Sequence, residues 1–323
     1  MRFSAEEISR IARPDGFTEG IVEKVLHLVH LLNVLNSHHS LQGKWVLKGG
    51  TALNLFVLRQ PRLSVDIDLN YIGALEREQL LKDRPRVEQA AQAVFSREGF
   101  IVRRAPDEHA GGKWRLNYPS FTGQPANLDV DINFMYRRPL WAIHHADSHP
   151  LGDFQAKRIP VLDLHELVAG KLSALFSRRQ ARDLFDCHHV LEMDNLHRDQ
   201  LRIAFVVYGG MNRRDWRTVS PDDVDYDEAE LVRQLGPTLR TPRLREREEL
   251  SAYGKKLVDE CREALSLVLP FTDAERSFLD LLLERGEINA SILTSDAVLQ
   301  ERIQAQPLLK WKALNVRHHK GLS

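Results

Sequence analysis

The stretch Trp45-Val46-Leu47-Lys48-Gly49-Gly50-Thr51-Ala52-Leu53-Asn54-Leu55-Phe56-Val57-Leu58, resumed after Pro61 as Ser64-Val65-Asp66-Ile67-Asp68-Leu69-Asn70, decides how the rest of the chain is read. Its opening residues suit a strand, the glycine pair reads as a turn, and the run that follows suits a helix, which Pro61 ends. From Ser64 onward apolar and polar residues alternate with the period of a half-buried strand, so Asp66 and Asp68 share one face. The interval between Gly50 and Asp66 accommodates one helix and a return to the next strand. The glycines and both carboxylates then line one cleft.

Upstream, Ile21, Val25, Val29, Leu32 and Leu35 recur at helical spacing and predict an amphipathic helix over 17–35, with Thr18 as a cap. Downstream, a helix is expected over 76–98, a strand over 99–103 and a hairpin-like region over 113–118. In Asn127-Leu128-Asp129-Val130-Asp131-Ile132-Asn133-Phe134 the apolar residues face one way and Asp129, Asp131 and Asn133 the other, giving a second acid-bearing strand. From Leu162 the pattern turns helical, with later helices over 243–267 and 273–284, and Asp222-Asp223-Val224-Asp225-Tyr226-Asp227 reads as a solvated loop or linker. The pattern predicts an α+β core over residues 1–155 and a helical region over 156–323.

Lysine plus arginine and aspartate plus glutamate each number 45, with 43% hydrophobic residues, which excludes a disordered chain and a polycationic nucleic-acid coat. Any nucleic-acid contact must use a local patch. The opening Arg2-Phe3-Ser4-Ala5-Glu6-Glu7 lacks an apolar signal core, and Cys187 and Cys261 stand far apart, outside any CxxC pattern. Both point to the cytoplasm. No apolar run approaches the roughly 18 residues of a membrane span, so no membrane role is expected.

Two carboxylates on one strand face, with a third from a neighbouring strand, place hard oxygen ligands side by side, which suits Mg²⁺ bridging nucleotide phosphates; Mn²⁺ accepts the same ligands. Glycines ahead of a helix let backbone N–H groups approach a triphosphate. Taken singly, Asp66-Ile67-Asp68 is more often two solvent-facing positions of an antiparallel strand and Gly49-Gly50 usually a plain turn; their order and spacing favour a site. No GxxxxGK[ST] loop is present. The adjacent histidine pairs, including His188-His189, do not share an element face and read as surface or satisfied residues.

Leu47-Lys48-Gly49-Gly50-Thr51-Ala52-Leu53 with Arg62-Leu63-Ser64-Val65-Asp66-Ile67-Asp68-Leu69 resembles the opening motif of the AbiEii/AbiGii toxin family of nucleotidyltransferase-like proteins. Glu166-Leu167-Val168-Ala169-Gly170-Lys171-Leu172-Ser173-Ala174-Leu175 and Arg178-Arg179-Gln180-Ala181-Arg182-Asp183-Leu184-Phe185-Asp186 resemble its later motifs, in the family's order. The resemblance implies a polymerase-β-like nucleotidyltransferase core, a mixed sheet flanked by helices, followed by a helical region that completes the active site. It also implies a toxin of a type IV toxin–antitoxin or phage-defence system that transfers a nucleotide from an NTP to the 3′ end of tRNA and is held in check by a cognate antitoxin. Carried onto this chain, it implies that Gly49, Gly50 and Ser64 bind the nucleotide, that Asp66 and Asp68 hold metal, that Lys171 contacts the nucleotide, and that Asp183 completes the site.

For the third metal-binding acid, Asp131-Ile132-Asn133-Phe134 fits the family pattern better than Asp129-Val130-Asp131-Ile132, so Asp131 is expected and Asp129 competes. On one straight helix at about 100° per residue Lys171, Arg178 and Arg182 form a stripe that excludes Asp183. Either the helix breaks near Ser177-Arg178-Arg179-Gln180, or Arg178, Arg179 and Arg182 form an outer rim for RNA phosphate; a solvated face with local ion pairs is the plain reading of the arginines. Two other functions compete: transfer to a small molecule such as an aminoglycoside or to a protein, and a non-catalytic binding module of the same fold.

Overall fold

The computed structural model describes residues 2–106, 110–240 and 247–321. The chain divides into two compact units that interleave along the sequence. The first comprises Met1–Arg137, Ile143–Leu162 and Gln234–Arg247; the second comprises Arg138–Ala142, Asp163–Arg233 and Glu248–Ser323.

The first unit is built on one mixed sheet. Its strands are β1 (Trp45–Lys48), β2 (Asp66–Tyr71), β3 (Ile101–Arg104), β4 (Gly111–Pro119), β5 (Pro125–Asn133), β6 (His144–Ala146) and β7 (Ile159–Val161), in the spatial order β3-β4-β5-β2-β1-β7-β6. β2 pairs parallel with β5 and β1 with β7, and the other pairs are antiparallel. One face carries Ile67, Leu69, Trp114, Leu116, Val130 and Ile132, each at most 4% exposed, which is the buried half of the alternation read from the sequence.

Helices α1 (Ala5–Asp15), α2 (Glu19–Ser37), α3 (Gly49–Ala52) and α4 (Arg77–Arg97) complete this unit. α2 matches the expected amphipathic helix, and Val22, Val25, Leu26, Val29 and Leu32 are buried. Thr18 occupies its N-cap position without capping it; the hydroxyl donates instead to Pro237 O at 3.4 Å. The glycine pair is not a separate turn. α3 starts at Gly49 straight from the strand and widens into a π turn over Leu53–Val57.

The second unit contains α5 (Leu164–Ser177), α6 (Ala181–Leu191), α7 (Arg198–Gly210), α8 (Glu228–Glu230), α9 (Arg247–Ala264), α10 (Asp273–Asp280), α11 (Ala297–Gln304) and α12 (Pro307–Lys320). The start expected for α9 at Arg243 lies outside the described residues. Asp163 accepts from His165 N at 2.8 Å and caps α5, while Thr272 and Glu275 form a capping box on α10. Phe176, Phe205 and Trp216 pack edge to face or tilted in the core. A Cβ at Gly209 would overlap the Trp216 indole, so glycine is what allows that approach. The acidic segment is pinned and does not form a free linker: Asp223 pairs with Arg214 at 2.8 Å, Asp225 with Arg179 at 3.3 Å, and Asp227 accepts from Ala229 N.

Glu166 is buried in this unit, accepting from the Tyr208 hydroxyl at 3.1 Å and from Trp141 N at 3.3 Å. Burial pushes its carboxyl up from 4.5 to about 7 against the pull of those donors. A raised acid holds its proton in the folded state after the unfolded chain has lost it, so its contribution to stability is full in acid and is lost as pH rises from about 4.5 to about 7. The melting temperature of the natural protein, relative to that of Glu166→Gln, is expected to fall across that window and level off above it.

Candidate active site

The second face of the sheet carries the charged residues. β1 and β2 set Lys48 opposite Asp68, β2 and β5 set Asp68 beside Asp131 and Asp66 beside Asp129, and β5 and β4 set Asp131 opposite Lys113 and Asp129 opposite Arg115. Residues in register on neighbouring strands share a face. Two rows result: Lys48–Asp68–Asp131–Lys113 and, next to it, Asp66–Asp129–Arg115. The two acid-bearing strands found in the sequence are immediate neighbours.

The rows separate Asp129 from Asp131. Asp129 is taken up by Arg115, whose Nε and Nη2 donate to its two oxygens at 3.0 and 3.1 Å, with Lys113 Nζ at 3.6 Å. These cations hold its carboxyl below the ordinary range despite burial. Asp131 shifts the other way: burial raises it first and the neighbouring Asp68 charge adds to the rise, while Lys48 and Lys113 partly offset both. Asp131 thus stands in a field of like charge that a bound cation relieves.

Gly49 is fitted to Asp68. Its φ of +72° lies in the left-handed region, and a Cβ there would overlap the Asp68 carboxylate. Asp68 therefore lies against the start of α3. The Thr51 hydroxyl donates to the Asp66 carbonyl, tying α3 to β2, and Asn54 Nδ2 donates to Gly50 O at 2.9 Å within the helix. Ser64 is buried in the segment entering β2.

Oxygen donors of this kind, clustered on two adjacent strands beside a backbone that only glycine can form, fit a hard divalent cation such as Mg²⁺ or Mn²⁺. Among the described residues the group of three whose donor atoms all lie within 4.8 Å of one another is a different one, His188, Glu192 and Glu260. His188 Nε2 is 2.7 Å from Glu260 and 3.5 Å from Glu192, the geometry of an ion-paired histidine, and His189 Nδ1 is satisfied by Phe185 O at 2.9 Å. The histidine pair is satisfied, as its sequence context suggested.

Lys171 and Asp183 come together in the second unit. The break expected near Ser177 is present: α5 stops there and α6 starts at Ala181, so Asp183 turns back toward Lys171. Lys171 Nζ lies 3.0 Å from Asp183 and 2.9 Å from Asp186, all three nearly buried. Arg178 adds its Nε at 2.8 Å from Asp183. The two cations hold the Asp183 carboxyl below its usual value against the cost of burial. Arg179 is exposed, with its ion pair to Asp225, and Arg182 is half-buried in the first turn of α6.

Sequence reasoning missed Lys48, Lys113, Arg115 and Asp186 as part of these clusters. The alternation of β4 (Lys113, Arg115 and Asn117 on one face) carries a signal for two of them, but only the register couples it to the acids.

Two substitutions test this geometry. Gly49→Ala is expected to cost about 1–3 kcal/mol, the scale of a strained backbone position, and to displace Asp68. Loss of activity with an unchanged melting temperature would contradict that steric account. Lys171→Met removes the cation shared by two buried carboxylates and is expected to cost about 3–5 kcal/mol in denaturant unfolding, with part of the loss recovered when Asp186→Asn is added.

Comparison with known proteins agrees with this architecture. The family described as nucleotidyl transferase AbiEii toxin, type IV TA system, matches over residues 30–268. Among solved structures, MenT4, a nucleotidyltransferase toxin from Mycobacterium tuberculosis H37Rv, shares the fold with a TM-score of 0.64 at 17% identity, over 93% of this chain and 98% of that chain. A search of curated proteins gave no match. No helix among the described residues is long and apolar enough to cross a membrane. With an α+β sheet unit, a helical region and a family match over most of its length, the chain belongs to the AbiEii family of nucleotidyltransferase toxins of type IV toxin–antitoxin systems.

Proposed function

We propose that this nucleotidyltransferase moves a nucleoside monophosphate from an NTP to the 3′ end of RNA, with the acceptor end of tRNA as its target, and so blocks translation. The observation that carries the reading is the in-register pairing of β2 with β5, which sets Asp131 beside Asp68, whose carboxylate lies against Gly49. A binding module gains nothing from clustered like charges, which disfavour the folded state unless a cation is bound. The toxin acts in the cytoplasm, where tRNA and NTP meet, and a cognate antitoxin is its regulatory partner.

Asp66, Asp68 and Asp131 are the residues that would hold Mg²⁺ or Mn²⁺. When bound, such an ion supplies charge stabilisation to phosphoryl oxygens and lowers the pKa of a coordinated hydroxyl. The chain's own residues do the rest. The Gly49-Gly50 backbone and Ser64 receive the phosphates, and Lys48 at the end of the carboxylate row supplies positive charge beside them. Asp129 takes no part in metal binding, because Arg115 and Lys113 already occupy it. Lys171 and Asp183 keep the role the family motifs give them, as residues required for transfer; Asp186 and Arg178 fix their positions. In this reading the sheet unit holds the metal and the phosphates, and the helical region serves the body of the acceptor.

The test is incubation of the protein with Mg²⁺, each labelled NTP in turn and total tRNA, beside Asp66→Ala. Label on tRNA is expected to drop by about a hundredfold or more in the variant, the scale of losing a group that stabilises transition-state charge. No label with any NTP, from a folded protein that binds nucleotide, would move the acceptor to a small molecule or a protein.

A further inference from the structure

Beyond β5 the charged face of the sheet continues onto its outer strands. Arg104 of β3 is in register with Arg115 of β4, and Lys113 stands two residues from Arg115 on the same face. Arg103 joins them, its Nε donating to Asn117 Oδ1 at 2.7 Å across a bulge between Val102 and Arg104. Four cations therefore gather on β3 and β4, of which Lys113 and Arg115 pair with Asp129, in a chain whose overall charge is zero. They face solvent: Arg103 and Arg104 are exposed, and the side chains of Arg115 and Lys113 are 54% and 39% exposed. Ile101, in register with Asn117, adds an apolar surface at 57% exposure.

The order of strands assigns this strip a partner. The glycine start of α3 lies at the β1 and β2 side of the carboxylates, so the triphosphate of the donor nucleotide belongs on that side under the proposed function. In phosphoryl transfer the attacking and leaving oxygens lie roughly in line, on opposite sides of the reacting phosphorus. The acceptor hydroxyl then arrives from the β5 side, and the strand next to β5 is β4.

We infer that Arg103, Arg104, Lys113 and Arg115 on β3 and β4 form the docking strip for the single-stranded 3′ tail of the acceptor RNA. They hold its phosphates while the terminal hydroxyl reaches Asp131. Asp129 is a positioning residue here, aiming Arg115 and Lys113 along the sheet. The exposed side chain of Ile101 supports a base. This inference rests on the proposed RNA acceptor and adds the place where that acceptor lies.

The test uses Arg103→Gln, Arg104→Gln and the double variant of the full chain. Transfer kinetics are measured with NTP and acceptor varied separately, and fluorescence anisotropy is read with a labelled RNA hairpin carrying a single-stranded 3′ end at several salt concentrations. The double variant is expected to raise the acceptor KM by about tenfold, to leave the NTP KM unchanged, and to flatten the salt dependence of RNA binding by about the slope of two phosphate contacts. A raised NTP KM with an unchanged acceptor KM would assign the strip to the nucleotide and overturn the inference. Unchanged RNA affinity and salt slope in all three variants, from a chain that still labels RNA, overturns the inference and leaves the transferase reading standing. Failure of the natural protein to label or bind any RNA removes both, and label on a protein acceptor in the same assay reassigns the strip to an acidic protein surface.

Discussion

The structure of this site depends on one strand pairing. β2 and β5 run parallel and in register, which forces Asp66 against Asp129 and Asp68 against Asp131. Four carboxylates in two rows is a costly arrangement unless each is answered. One is answered inside the sheet by Arg115 and Lys113. Asp131, raised by burial and by Asp68 beside it with only partial relief from Lys48 and Lys113, is not, and this uneven distribution of countercharge sets the two rows apart.

Much of this could be read from the sequence. Period-two alternation placed Asp66 with Asp68 and Asp129 with Asp131, because a strand buried on one face leaves that pattern directly. The glycine pair and its distance from Asp66 announced a strand, a helix and a return. Register was not legible, since it is set by the turns and the buried face of partner strands far apart in sequence. The partners that distinguish Asp129 from Asp131, Arg115 opposite the former and Lys113 opposite the latter, are therefore not visible in the alternation of β5 alone. The motif containing Lys171 and Asp183 was visible, but its burial was not: an isolated lysine in a helical pattern looks exposed, and only the break after Ser177 brings Asp183 and Asp186 around it.

The two charged clusters follow different physical logics. On the sheet face the acids are only partly buried, so their charges remain available to solutes and to salt. In the second unit Lys171, Asp183 and Asp186 are nearly dry, and Arg178 lends a second cation from the chain's turn between two helices. Lys171 is shared by both buried carboxylates, so its loss upsets the charge balance of the whole cluster, which gives the cluster a structural importance whatever else it does. Glu166 solves the same problem differently, by holding its proton to about neutral pH.

The interleaving of the two units has a consequence for synthesis. Domains commonly fold in order as they emerge, the N-terminal one first. Here the segment entering β2 is held by residues made much later: Leu63 N donates to Thr238 O at 3.0 Å and Arg62 bridges to Leu239, directly ahead of Ser64 and Asp66. A growing chain has its sheet strands early but cannot close this brace until residue 239 is out. The strand that carries Asp66 and Asp68 is therefore fully anchored only when most of the chain has already been made.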